Sequence, residues 1–299
     1  MERQISNYLN SNKKVINLFL LGRPWNGFLI GFIAITGYFF SASNINLTFG
    51  ISLFIAFLAV YNAGAILNDI YDYDIDKKNM PYRPLQSEKI TVREAKIFSF
   101  LLYLISIIIS AQHSYFLLGI ATFIFFSIIY STPPIHLVRR HFLANLNLAI
   151  VTIFIPSMTG ISTGLNSINI PQVHIMAFGA LSILFFSFLF LKDLKDIEGD
   201  REGSKLTVTL LVGEKNTKLL SGALSAIFFP MSTLFFNNYF INNNQLFFIT
   251  STIIFIVLIF ITIENNPHKI NKSIFEEKRF AKARLLLFAY SISIFLFHF

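Results

Sequence analysis

Two short acidic stretches carry most of the chemistry this sequence could perform. The first runs Asn68-Asp69-Ile70-Tyr71-Asp72-Tyr73-Asp74-Ile75-Asp76, and the second Lys192-Asp193-Leu194-Lys195-Asp196-Ile197-Glu198-Gly199-Asp200-Arg201. On helices, Asp69, Asp72 and Asp76 fall at i, i+3 and i+7, and Asp196 and Asp200 at i and i+4, so each set lines one face. Asp74 points away from the first stripe. Like charges stacked in this way destabilise a helix or raise one another's pKa unless a cation lies among them. Oxygen ligands with no His or Cys point to Mg²⁺, which takes one or two carboxylates, waters and substrate phosphate oxygens. Two such faces opposed across a cavity would clamp a diphosphate and neutralise the charge that builds on it as it leaves. The alternative is that both stretches are solvated acids at helix ends. The repeated spacing and the shared placement just beyond an apolar run weigh against that.

The elements that position these residues are long apolar runs. Of 299 residues, 54% are hydrophobic and 13% charged, against roughly 25% charged in a soluble domain. Stretches such as Ile51–Val60, Ile120–Tyr130 and Leu246–Ile263 have no polar face and belong in lipid or deep in a bundle. With no Cys in the chain, a disulfide framework, a thiolate metal site and a Cys nucleophile are excluded. At about 20 residues per span, nine spans fit, at 15–41, 46–67, 93–111, 114–131, 142–164, 173–192, 218–236, 244–263 and 280–298. The polar start, Met1 to Lys14, lacks the cleavage signature of a signal peptide, so the first span is expected to be retained. With nine spans, all 24 Lys and Arg residues fall on one side of the membrane or at the helix ends bordering it. By the positive-inside rule that side is cytoplasmic. A net charge of +8 distributed this way sets topology and argues against nucleic acid as a partner. The expected fold is an all-α polytopic membrane protein: one domain over 1–299, nine transmembrane helices around a central cavity. Two divergent four-helix halves lie at about 15–131 and 142–263, with a ninth helix at 280–298.

Asn68-Asp69-x-x-Asp72-x-x-x-Asp76 resembles the first signature of the UbiA superfamily of intramembrane prenyltransferases, and Lys192-Asp193-x-x-Asp196-x-x-x-Asp200 resembles its second. Similarity extends to Arg23-Pro-x-Asn26, Asn79-x-Pro81-x-Arg83-Pro84 and Tyr130-Ser131-x-Pro133-Pro134. The resemblance implies Mg²⁺-dependent transfer of a polyprenyl group from its diphosphate to a lipophilic acceptor. Asn68, Asp72, Asp76, Asp196 and Asp200 would surround the metals, with Asp72 and Asp196 central to catalysis. It implies diphosphate binding by Lys77, Arg83, Lys192 and Arg201, and by Arg139 where many members carry a Lys. Other substrate contacts would come from Asn26, and cation-stabilising aromatic faces from Tyr71, Tyr130 and Trp25. Asp69 is the expected acceptor of a proton, if a base is needed. The chain departs from the family at Gln86-Ser87-Glu88, where Pro-Ser-Gly is common, and at Val138-Arg139-Arg140 after the Tyr-Ser motif.

Among the remaining polar residues, His136 could lie near the acceptor. Pro156 and Gly160 are expected to kink the fifth span or admit a close neighbour, and Lys269–Arg284 reads as an amphipathic connection lying on the surface. Three functions stay open: intermolecular prenyl transfer, an intramembrane terpene cyclase of the same superfamily, and a cation-coupled transporter. The absence of acids halfway through any span weighs against the transporter. Arg23-Pro-x-Asn26 and the form of the second motif resemble members that prenylate a glycerol-phosphate lipid such as geranylgeranylglyceryl phosphate, while Asn79-x-Pro81-Tyr82-Arg83-Pro84 also resembles members acting on aromatic or chlorin acceptors; the first is slightly favoured.

Overall fold

The computed structural model describes residues 13–202, 206–264 and 272–298. Within them all regular structure is helical, apart from one isolated bridge between Arg140 and Leu206. Arg3, Lys205, His268 and Lys269 lie outside the described residues. In chain order the helices are α1 (Lys13–Leu21), α2 (Pro24–Phe39), α3 (Leu47–Tyr71), α4 (Tyr73–Asn79), α5 (Val92–Ser110), α6 (Ser114–Ser131), α7 (His141–Ala149) and α8 (Ile155–Leu165). They continue as α9 (Gln172–Lys192), α10 (Ile197–Glu202), α11 (Val208–Val212), α12 (Glu214–Tyr239), α13 (Gln245–Ile263) and α14 (Lys272–Leu296). Among the described residues, six helices are long and apolar enough to cross a membrane, and seven if the bent pair α1–α2 is one span. α5 and α14 have the length, but their first turns carry charges such as Arg93, Glu94 and Lys96, or Glu276, Glu277 and Lys278. Among the described residues, length and composition therefore do not confirm the nine crossings expected from hydropathy.

Three local departures from straight spans matter for the site. The first expected span is broken, α2 leaving α1 at 53°. Pro24 opens α2 without an amide to donate, and Arg23 before it takes a left-handed φ of 56°, which ends one helix and starts the next. The fifth span is interrupted by a π-helical turn at Ile150–Phe154, immediately before Pro156. A proline there cannot donate to a carbonyl one turn back, and the wider turn absorbs that loss. The final helix begins at Lys272, eight residues earlier than the hydropathy run suggests. Residues 272–284 are thus the first half of α14 and not a separate connection. A buried ion pair, Arg279 to Glu276 at 2.6 Å, helps dock this half, with Lys218 of α12 at 3.3 Å from Glu276 and the Arg279 guanidinium against the Phe275 ring.

Four apolar clusters form the interior, two of them large. One joins α2, α3, α6 and the π turn through residues such as Ile30, Phe57, Phe123 and Val151. The other, larger and Phe-rich, joins α9, α12, α13 and α14 through residues such as Phe188, Phe236, Phe247 and Tyr290, and reaches α2 at Leu29 and Ile33. α2 therefore belongs to both. It lies tightly on α8: a Cβ on Gly37 would strike the Ser157 carbonyl and one on Gly160 the Ala34 carbonyl. At one end of the bundle Lys14 pairs with Glu94, and Lys78 of α4 with Glu202 of α10. At the other end His174 and His298 face the Phe40 and Phe240 carbonyls.

Candidate active site

The first acidic stretch straddles a helix end. α3 runs to Tyr71, four residues beyond the apolar span, so Asn68 and Asp69 ride on its last turn, while Asp72 caps it and starts α4. The bend at Asp72 splits the expected stripe. Asp72 and Asp76 face a cavity, Asp72 accepting a hydrogen bond from Asn68 Nδ2 at 3.0 Å. Asp69 does not line that cavity. It is 1% exposed, and one of its oxygens takes both Arg23, from the α1–α2 break, and Arg83, at 3.1 Å, from the loop after α4. Arg83 also reaches Asp76 at 2.5 Å. Gln86, buried, directs its amide toward the Asp69 carbonyl at 3.5 Å. Glu88, at the site of the family's glycine, holds φ at 60°, the left-handed conformation that glycine takes without penalty.

The second stretch closes the cavity from the other half of the chain. α9 ends at Lys192, a 3₁₀ turn covers Asp193–Lys195, and α10 follows. Lys192 pairs with Asp193 at 2.8 Å, which Asn145 also approaches at 3.5 Å, and Lys195 pairs with Asp196 at 3.2 Å. The stretches meet where Lys195 Nζ donates to Met80 Sδ at 3.5 Å and where Lys78 pairs with Glu202. α14 crosses the mouth: Glu277 accepts from the Tyr82 hydroxyl at 3.0 Å, and Arg284 donates to Asn26 Oδ1 at 2.7 Å. Burial and the Glu277 carboxylate push the Tyr82 phenol up to about 12.

The cavity, open at its mouth, measures about 570 Å³, a size that holds a small organic ligand. Asn68, Asp72, Asp76 and Asp196 line it, together with Arg23, Arg83, Lys192, Lys195 and Arg284. Its remaining wall is apolar, with Leu29, Ile30, Phe123, Val151, Phe185 and Leu189. Of the residues expected from sequence, Asn26, Asn68, Asp72, Asp76, Arg83, Tyr130, Lys192 and Asp196 come together here. Trp25 also reaches the wall, though it is 76% exposed. Asp200 is buried but outside the lining, and Tyr71, Lys77 and Arg201 point to the exterior. Val138 and not Arg139 forms the wall after the Tyr-Ser motif. His136 Nε2 stands 3.8 Å from Asp72 Oδ1.

Sequence reasoning missed Lys195, Glu277, Arg284 and Asn147. Arg284 was the last charge before an unbroken apolar run, which marks it as cavity-facing once the helix is extended back. Asn147, within an apolar span, is the kind of mid-span polar residue that signals a substrate path. It lies one turn before the π turn, 3% exposed in the cavity wall, and neither its carbonyl nor its amide group has a hydrogen-bond partner.

The donor set fits a hard divalent cation. Asp72 Oδ1 is buried and accepts no hydrogen bond, a cost that a cation would remove. Among the described residues, no three His, Cys, Asp or Glu side chains converge tightly enough to hold an ion by themselves.

Comparison with known proteins agrees with this geometry. A family model described as the UbiA prenyltransferase family matches residues 29–281. Digeranylgeranylglyceryl phosphate synthase of Methanosphaera stadtmanae is 30% identical over 262 residues, covering 84% of this chain and 90% of the relative. The protein of the same name from Methanococcus maripaludis is 34% identical over 179 residues, covering 58% of this chain and 61% of the relative. Among solved structures, a UbiA homolog from Archaeoglobus fulgidus bound to GPP and Mg²⁺ superposes with a TM-score of 0.62 at 19% identity, over 94% of this chain and 99% of that one. A UbiA homolog from Aeropyrum pernix gives 0.65 at 22% identity, over 90% and 94%. With a family match across most of its length and both acidic motifs meeting in one cavity, the chain belongs to the UbiA prenyltransferase family.

Proposed function

We propose that this protein transfers a geranylgeranyl group from its diphosphate to the free hydroxyl of a geranylgeranylglyceryl phosphate within the membrane. The observation that carries the reading is the single cavity in which both acidic stretches share a wall with an apolar surface. The names of the 30%-identical relatives support the glycerol-phosphate acceptor over an aromatic one. Asn68, Asp72 and Asp76 on one side, and Asp196 backed by Asp200 on the other, would hold Mg²⁺, which supplies charge neutralisation to a departing diphosphate. Arg83, Lys192 and Lys195 would exchange part of their carboxylate pairing for diphosphate oxygens, Arg83 being suited to a bidentate contact. Lys77, Arg139 and Arg201 are given no such contact.

The allylic C–O bond breaks with its electron pair going to the diphosphate. The acceptor oxygen then bonds to the same carbon and loses its proton. The Tyr130 ring would stabilise the intervening cation, and the apolar wall would exclude water from it. Asn147 can donate to and accept from one hydroxyl, so it would orient the nucleophile. Asp69 lies behind the cavity wall, paired with two guanidiniums, so the released diphosphate is the better-placed destination for the proton. Residues 1–299 would form one domain of two divergent halves whose apolar clusters run across both. The basic loops would face the cytoplasm.

The test is Mg²⁺-dependent pyrophosphate release by purified protein from geranylgeranyl diphosphate, with and without the acceptor. Release should require the acceptor, and Asp72→Asn and Asp196→Asn should each lower turnover by about 100-fold or more. Release without acceptor, yielding a cyclic hydrocarbon or alcohol, would replace transfer with cyclisation.

A further inference from the structure

We infer that Arg284 of α14, held by Asn26, is the residue that reads the phosphate of the acceptor and so sets acceptor specificity. The inference rests on the proposed glycerol-phosphate acceptor and deepens it. Four of the cavity's cations already face carboxylates: Arg23 and Arg83 share Asp69, Lys192 has Asp193, and Lys195 has Asp196. Arg284 differs. Among the described residues its partner is a neutral amide, Asn26 Oδ1 at 2.7 Å, and Asn26 is in turn fixed by donating to the Tyr61 hydroxyl at 2.9 Å. This leaves a guanidinium with donors to spare, oriented by a two-residue relay and facing the cavity. Its planar fork suits a phosphomonoester.

The surroundings favour an anion there as well. Asn26 lies in the first turn of α2, which starts without a side-chain cap, so the positive end of that helix adds to the Arg284 charge. Along α14, Glu277 lies two turns from Arg284, roughly 10 Å by helix rise. Glu277 is engaged by Tyr82, so it marks the diphosphate side of the mouth and leaves the Arg284 side positive. Two anionic groups can therefore occupy one cavity without sharing cations, the diphosphate among Arg83, Lys192 and Lys195 and the acceptor phosphate at Arg284. A dephosphorylated acceptor would lack this anchor.

The experiment compares KM for geranylgeranylglyceryl phosphate with KM for the corresponding alcohol, in wild type and Arg284→Gln. Wild type should prefer the phosphate, and the variant should lose roughly ten- to hundredfold of that preference, as expected for a hydrogen bond between charged partners. KM for the prenyl diphosphate should move far less. A variant that keeps the wild-type preference, or whose KM for prenyl diphosphate rises in parallel, overturns the inference. If wild type is itself indifferent to the phosphate, the acceptor reading fails and takes this inference with it. Should Arg284→Gln fail to fold, Arg284→Lys serves. It should lose severalfold of the same preference, and unchanged preference would count against the assignment.

Discussion

Asp69 and Asp72 are three residues apart, yet the structure gives them opposite surroundings. Asp69 neutralises Arg23 and Arg83 in a site closed to solvent, whereas Asp72 keeps a buried oxygen without a hydrogen bond at the cavity wall. Removing one member of a buried charge cluster typically costs about 3–5 kcal/mol. Asp69→Asn is therefore expected to lower the melting temperature in detergent markedly, with activity falling as the Arg83 loop loosens. Asp72→Asn should leave the melting temperature unchanged or raise it, because it removes charge repulsion in the unloaded site, while abolishing transfer. Equal thermal behaviour of the two variants would contradict this division. Residue types and spacing made both aspartates legible as candidates. They could not separate them, since the distinction depends on a helix end at Tyr71 and on a guanidinium 46 residues away in sequence. Glu88 is a similar case: its departure from the family pattern is visible in sequence, but the left-handed backbone it occupies is not.

At the scale of elements, the site depends on how closely α2 lies against α8, because the start of α2 brings Arg23 and Asn26 to the cavity while α7 and the π turn before α8 present Asn147 and Thr152. The contact is made by backbone against backbone at Gly37 and Gly160, the small-residue device common between membrane helices. Gly160→Val would have to displace the Ala34 carbonyl, and overpacking of this kind costs about 1–3 kcal/mol. Gly222 of α12 is the control, since a Cβ there meets only Thr262 Cγ2, at 3.7 Å. Gly222→Ala should melt like wild type, and Gly160→Val should melt lower with reduced turnover. Similar curves for both would mean the interface yields more easily than its geometry suggests. Sequence marked Pro156 and Gly160 as a kink or a close approach, which is borne out. It missed the early start of α14, because charges at 272–284 resemble a surface connection until Glu276 and Arg279 find each other and Lys218 inside the protein.

For the whole molecule, the all-helical membrane architecture was the most readable property, since long apolar runs need no tertiary contact to be recognised; the one-sided distribution of Lys and Arg is an expectation that holds only with nine spans. The meeting of the two acidic stretches was readable only as a motif pair; the ties around it, such as Lys78 with Glu202 and Tyr82 with Glu277, join residues far apart in sequence. The orientation expected from that asymmetry can be tested directly because the chain contains no Cys, so every introduced thiol reports alone. Glu88 and Glu202 are exposed at the end that carries the site, and Asn169 and Asn243 are exposed at loops lacking Lys and Arg. In intact cells a membrane-impermeant maleimide should label Asn169→Cys and Asn243→Cys and spare Glu88→Cys and Glu202→Cys, and inverted vesicles should give the reverse. Labelling of all four from one side would break the two-sided arrangement of the bundle. A clean inversion would keep that arrangement and place the site-bearing end on the outer face of the membrane.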